Sequence, residues 1–177
     1  MNTNLKSFSL LSVATLAFAA FAAFAQQPGP SPSAQAAFDK LKTLAGEWTG
    51  KAGEPGKEHD VTIIYRVTSG GHALAETMFP GTDHEMITMY HLDGDKLLLT
   101  HYCKVGNQPR MALTKKSTTD TLDFNFVGGT NMKSRKDGHM HSARIHFVGS
   151  DTVASEWDYF KDGKQSGSEK FTLKRKT

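Results

Sequence analysis

The hydrophobic pattern divides the chain into four segments of different character. From Leu10 to Phe24 it is one apolar run rich in Ala, Leu and Phe, preceded by a single charge, Lys6, and closed by Ala23-Phe24-Ala25. A charged start, an apolar middle and a small-x-small end are the three parts of a secretory signal, and they predict cleavage after Ala25. A membrane-spanning helix needs about 20 apolar residues, and this run is shorter. Gln26 to Ser33 then sets Pro28, Pro30 and Pro32 among Gln, Gly and Ser, which predicts an extended linker. The next segment, Ala34 to Leu44, places Ala37, Leu41 and Leu44 on one side with Phe38 beside them. That spacing predicts a short helix with Ser33 as its cap.

After Gly46 the period drops to two. Short runs rich in Val, Ile, Thr, Tyr, Phe and Leu alternate with Gly and Asp-Gly turns. They predict strands near 47–51, 59–68, 72–79, 85–92, 96–103, 110–116, 121–127, 139–148, 152–160 and 166–174. Ser69-Gly70-Gly71, Asp93-Gly94 and Asp162-Gly163 mark three of the turns. No long helix interrupts the series, which excludes parallel βαβ units. A meander this long hides its edges by closing into a barrel or folding into a sandwich. The expected fold is therefore all-β: an antiparallel up-and-down barrel of about 8–10 strands with a short N-terminal helix, spanning residues 34–177 as a single domain.

Composition adds constraints. The chain has 177 residues and one cysteine, Cys103. An exported chain with one Cys has no internal disulfide, so the core must hold it together. The formal charge of +3 is small and scattered, which argues against nucleic acid as a partner. No later stretch is long or apolar enough to span a bilayer. The expected location is periplasmic or extracellular; a monomer and a homodimer are both compatible with the sequence.

Leu44-Ala45-Gly46-Glu47-Trp48-Thr49-Gly50 follows the helix, and Arg175 lies in the basic last strand. A short helix, Gly-x-Trp on the first strand, a meander and a basic final strand resemble the calycin architecture of the lipocalins and their relatives. The resemblance implies that Trp48 closes the bottom of the barrel, that Gly46 admits close backbone approach, and that Arg175 (or Lys174) lies across the indole. The Leu44–Gly50 stretch is also similar to the start of nitrobindin-type haem barrels and of uncharacterised bacterial lipocalin-like families. His101-Tyr102-Cys103 with Gly106–Arg110 resembles a stretch of the latter set. Nitrobindin-type barrels ligate haem through a His near the C-terminus, and the last strand here, Glu169–Lys174, has none.

A barrel of this size holds one small, mainly apolar ligand. Candidate ligand-binding residues are Tyr90, His101, Tyr102, Asn107, Gln108 and Arg110. The two tyrosines are amphipathic liners, the loop amides are orienting groups, and Arg110 can clamp a carboxylate or pair with Glu76 or Glu85. A second reading is a haem or transition-metal protein. If Asp93-Gly94 is a two-residue turn, His84, Met86, His101 and Cys103 share one face, a soft set suited to Cu or Zn. If the loop is Leu92–Gly94, the register slides and Glu85, Ile87, Met89 and His91 face Leu97, Leu99, His101 and Cys103. His139-Met140-His141 is an i, i+2 pair that can chelate, with no third ligand evident. An enzyme with His101 as base and Arg110 as anion binder ranks third. No nucleophile elbow or phosphate loop is present, and no catalytic residue can be singled out.

Overall fold

Buried and more exposed positions alternate along much of each strand's core-facing stretch in the computed structural model, which describes residues 32–177. The expected signal segment and most of the Pro-rich linker lie outside the described residues. A helix, α1 (Ala34–Lys42), precedes ten strands: β1 (Gly46–Ala52), β2 (His59–Thr68), β3 (Ala73–Met78), β4 (Met86–Asp93), β5 (Lys96–Tyr102), β6 (Gln108–Leu113), β7 (Thr121–Thr130), β8 (His139–Phe147), β9 (Thr152–Lys161) and β10 (Lys164–Arg175). Each strand pairs antiparallel with its sequence neighbours, and β1 pairs with β10, so the sheet closes into a barrel. Closure removes both sheet edges, the liability that a ten-strand meander would otherwise carry.

The Ser33 hydroxyl caps α1 by accepting from the Ala36 amide. Ala37, Phe38 and Leu41 of its buried face plug one end of the barrel. Burying Phe38 or Leu41 contributes about 1.5–3 kcal/mol each. Trp48 sits beneath the plug, 1% exposed, and its indole N–H donates to the Leu44 carbonyl at 2.7 Å. Arg175 is its direct cross-strand partner and lies over the ring, with Cζ 4.3 Å from the centroid. The same guanidinium donates to the carbonyls of Ala45 and Thr43 at 2.8 and 2.7 Å. Gly46, at φ +130°, lets it approach: a Cβ there would stand 3.2 Å from Arg175 Nη1. The closed end is thus built from residues at both termini of the barrel.

The β4–β5 hairpin differs from both registers considered from the sequence. Asp93 pairs with Lys96, so the two-residue loop is Gly94-Asp95, with Gly94 at φ +60°. The positive φ falls on the first loop residue, which glycine adopts freely. His101 consequently faces Thr88, Tyr102 faces Ile87, and the ladder ends before Cys103.

Candidate functional site

Four polar residues stand in one rung across four adjacent strands. Tyr65 of β2 is paired with Glu76 of β3, Glu76 with Thr88 of β4, and Thr88 with His101 of β5. All four are buried. The rung is connected by hydrogen bonds. Tyr65 donates to Glu76 Oε1 at 2.7 Å, and Tyr90, two residues along β4, donates to Oε2 at 2.6 Å. Thr88 faces the same carboxyl across the ladder. Thr88 Oγ1 and His101 Nδ1 lie 2.9 Å apart.

Burial sets the electrostatics of this network. It pushes the Glu76 carboxyl up, while the donors from Tyr90 and Tyr65 pull it back. Burial, reinforced by the Glu76 charge, pushes the Tyr65 and Tyr90 phenols well up, so both remain protonated donors. Burial also lowers His101 to about 4, which keeps its imidazole neutral near pH 7. A buried carboxyl satisfied by two phenols is a high-stakes arrangement, because removing either partner leaves polar atoms without water or protein.

His101 is also part of the floor of a cavity of about 550 Å³. Met78, Met86, Met140, Phe79, Trp157 and Phe171 supply apolar walls, while His59, Asp60, Thr82, His84 and Glu169 complete the lining. The lining includes the start of β2, the β3–β4 connection and the start of β8. Those segments lie at the end of the barrel opposite α1 and Trp48, because antiparallel strands alternate their ends. The His101 and Trp157 rings are 5.1 Å apart. Neither His101 Nε2 nor Trp157 Nε1 has a hydrogen-bond partner within the protein, although both atoms are buried. Buried polar atoms in folded proteins are nearly always paired, so two orphans on one cavity wall call for an explanation.

The sequence-derived candidates divide accordingly. His101 lines the cavity. Tyr90 points inward but spends its hydroxyl on Glu76 and packs its ring against Phe124. Tyr102, 51% exposed, and Arg110 lie on the outer surface, because strand alternation puts them opposite His101 and Met111. Arg110 has no carboxylate partner among the described residues: Glu76 is buried with its tyrosines, and Glu85 accepts from the Gly81 amide. Asn107 and Gln108 are structural latches. Asn107 donates to the Gly138 carbonyl at 2.7 Å, and Gln108 Oε1 accepts from Thr130 and Asn131. Together they tie the β5–β6 loop to the β7–β8 connection.

The soft-metal set is brought together in part: His84, Met86 and His101 line the cavity, and Cys103 does not. His84 is exposed beside Lys104, whose ammonium donates to its ring at 2.9 Å, and Cys103 stands half-buried past the end of β5. The Gly94-Asp95 turn shifts the register by two residues, which keeps His84, Met86 and His101 on one side but ends the ladder before Cys103. His139 and His141 do meet, with Nε2 and Nδ1 3.0 Å apart. They do so because the β8–β9 register shifts between Met140 and Ser142. No group of three His, Cys, Asp or Glu residues converges among the described residues. Sequence reasoning missed Glu76, Thr88 and Trp157. The available signal was a lone Glu at an alternate position of β3, between Leu74 and Met78.

Fold and cavity define a closed ten-strand antiparallel barrel with a helix-plugged end and an accessible interior. No protein-family profile matches the chain, and no curated protein matches it. Among solved structures it is similar to a protein of unknown function from the DUF3598 family of Nostoc punctiforme, with a TM-score of 0.52 and 14% identity. The match covers 77% of this chain and 49% of the other, so the chain spans about half the length of that neighbour. The likeness concerns the barrel fold alone.

Proposed function

We propose that the protein is an exported, calycin-like carrier that binds one small, mainly apolar ligand inside its barrel. The observation that supports this most is the 550 Å³ cavity with a largely apolar wall and two orphaned polar atoms on it. Ligand pockets characteristically combine apolar walls with a few convergent polar groups. His101 and Trp157 supply those groups, while Tyr90 and the Glu76 carboxyl hold the rung from behind. Tyr102, Asn107, Gln108 and Arg110 take no part in ligand contact in this reading.

Uptake of the uncharged fluorophore N-phenyl-1-naphthylamine tests it. The expected result is saturable binding that Met140→Trp, which fills the cavity, abolishes without loss of fold. Absence of uptake by the wild-type protein, with a native mass spectrum of bare chain, would overturn it. For export, the exported fraction should carry a mature N-terminus at Gln26.

A haem or copper protein is the second reading, supported by the free Nε2 of His101 and by Met78, Met86 and Met140 in the same lining. His101 is the one histidine there that is both buried and neutral, and it would supply a single nitrogen ligand. Absorbance titration with haem and with Cu(I), each compared with His101→Phe, separates this from the carrier reading.

A further inference from the structure

We propose that the open end of the barrel docks on an anionic phospholipid bilayer through a basic lobe on one side of its rim. The lobe is built from the β5–β6 loop, the β7–β8 connection and the β9–β10 turn, which share that end because antiparallel strands alternate their ends. Hydrogen bonds fasten the three together. Asn131 Nδ2 donates to the Gly106 carbonyl at 3.3 Å and to Gln108 Oε1 at 3.1 Å. The Asp162 amide donates to the Lys136 carbonyl at 2.8 Å. The Lys104 ammonium meets the ring of His84, a residue of the cavity lining, so the lobe stands at the mouth itself.

The fold gathers here cations that are scattered in the sequence. Lys104, Arg110, Lys133, Arg135 and Lys136 are exposed on the first two segments, and Lys161 and Lys164 flank the third. None of them is ion-paired among the described residues, where every carboxylate pair uses Lys42, Lys51, Arg144, Lys170, Arg175 or Lys176. The same segments carry two carboxylates, Asp137 and Asp162. Asp137 is spent on the Lys133 amide and on the Ser134 amide and hydroxyl. Glu54, Glu58, Asp83 and Glu85 stand on the β1–β2 and β3–β4 connections of the same end, so the positive field belongs to one side of the rim.

Charge alone suits any polyanion. The apolar tip of the lobe singles out a bilayer. Val105, in the β5–β6 loop, is 59% exposed, and Val127, next to the Gly128 that pairs with Arg110, is 52% exposed. Tyr102 opens the same loop on the outer surface. A polyanion in water gives these side chains nothing. At a leaflet the valines leave water, the tyrosine takes the interfacial place that its ring and hydroxyl suit, and the lysines and arginines reach the lipid phosphates. The docking does not rest on the cavity being filled.

Co-sedimentation tests it, using the processed chain from Gln26 onward, which holds the whole barrel. The vesicles are equal parts phosphatidylglycerol and phosphatidylcholine, or phosphatidylcholine alone. The expected result is binding about tenfold or more tighter to the anionic vesicles, weakening as salt rises. Each Lys or Arg near such a leaflet corresponds to about fivefold in binding, so Lys133→Ala with Lys136→Ala should weaken it about 25-fold. Val105→Asn with Val127→Asn should weaken it about tenfold and leave retention on heparin unchanged, whereas the lysine pair lowers both. These four positions are exposed, and circular dichroism checks the fold of each variant; Val105→Asn alone carries the test if the Val127 change disturbs β7. Equal binding to both vesicle types, or anionic binding that neither pair of substitutions weakens, overturns the docking. Heparin retention without vesicle binding, or vesicle binding that the valine changes leave intact, makes the lobe a general polyanion surface and overturns it also. Uptake of N-phenyl-1-naphthylamine, measured without vesicles, is separate: its failure removes the pocket reading alone, and loss of vesicle binding with uptake intact removes the docking alone.

Discussion

Arg175 lies over the indole of Trp48 at 4.3 Å, and the two residues are direct partners in the ladder that joins the last strand to the first. The contact does three things at once. It covers the ring, it gives the carbonyls of Ala45 and Thr43 a donor each, and it fastens the closing seam of the barrel. The cation–π contact contributes about 0.5–1 kcal/mol at such a site, and each charge-assisted bond to a carbonyl about 1.5–3 kcal/mol when fully desolvated. Arg175 is partly exposed, so the sum is smaller. Arg175→Ala is expected to lower unfolding stability by about 2–4 kcal/mol. Arg175→Lys should recover less than half of that, since lysine keeps the charge and loses the planar fork. Urea unfolding of the three proteins decides it; equal loss in Lys and Ala variants means the charge contributes nothing.

Gly50 lies two residues further along the same seam, paired with Leu173. A Cβ at this position would collide with the Thr172 carbonyl and crowd the Leu173 backbone. These are backbone atoms of β10 and cannot swing aside as a side chain would. Gly50→Ala is expected to cost several kcal/mol, roughly the upper range for overpacking, with β1 and β10 parting first. Hydrogen exchange should show amides of β1 and β10 losing protection before those of β4 and β5. Uniform loss of protection would place the strain elsewhere.

Glu76 is held by two phenols, and an amide cannot replace it evenly. In Glu76→Gln one of Tyr65 and Tyr90 faces an NH₂ group instead of an acceptor. An unsatisfied buried donor costs about 1–3 kcal/mol. The expected loss falls in that range, and Tyr90→Phe in the same background should cost less than it does alone. A double-mutant cycle measures this coupling. Strict additivity would mean the two groups do not share the interaction that the 2.6 Å distance implies.

The barrel was largely legible in the sequence, and the polar rung was not. Strand alternation, the Ser33 cap and the Asp162-Gly163 turn depend on neighbours a few positions away, and the strands fall within a few residues of their expected bounds. The Trp48–Arg175 seam was legible because its residue types are specific to that architecture. The β4–β5 register was not, because Asp93, Gly94 and Asp95 allow several two- or three-residue turns and a one-residue slip re-sorts the faces. The sequence offers Glu76 only as a partner for Arg110, because charged strand residues usually face water. What buries it is a pair of tyrosines, one 11 and the other 14 residues away. Trp157 becomes a site residue only because β9 curls its side chain toward His101, which lies four strands away along the sheet.

Cys103 gives a test of the soft-metal reading. Burial pushes its thiol up, against smaller opposing hydrogen bonds from the Val105 and Lys104 backbone. Less thiolate is present at neutral pH than in a free cysteine, so alkylation by iodoacetamide should be slower than for a model thiol. Cys103→Ser is expected to leave Zn and Cu uptake unchanged. A loss of metal uptake in that variant would reinstate the thiol as a ligand.

The pH dependence of stability isolates His101. Its folded-state pKa of about 4 lies below the ordinary 6.5, and the cause is burial. The unfolded chain therefore binds more protons between those two values, and stability falls as pH drops through that window. The full effect is about 3 kcal/mol, present above pH 6.5 and gone near pH 4. Glu76 acts in the opposite sense. Its folded pKa is raised by burial, so the stability it contributes is full below about 4.5 and is lost as pH rises through its folded value. The two windows overlap from about pH 4.5 upward, so wild-type stability alone would mix them. His101→Gln removes one and keeps the other. Urea midpoints measured from pH 7.5 to 4 should fall more steeply for the wild type than for His101→Gln, with the curves converging at the acid end apart from a constant offset. Parallel curves across the whole range would show that His101 titrates as it does in the unfolded chain, and would remove the neutral imidazole on which its role in the cavity rests.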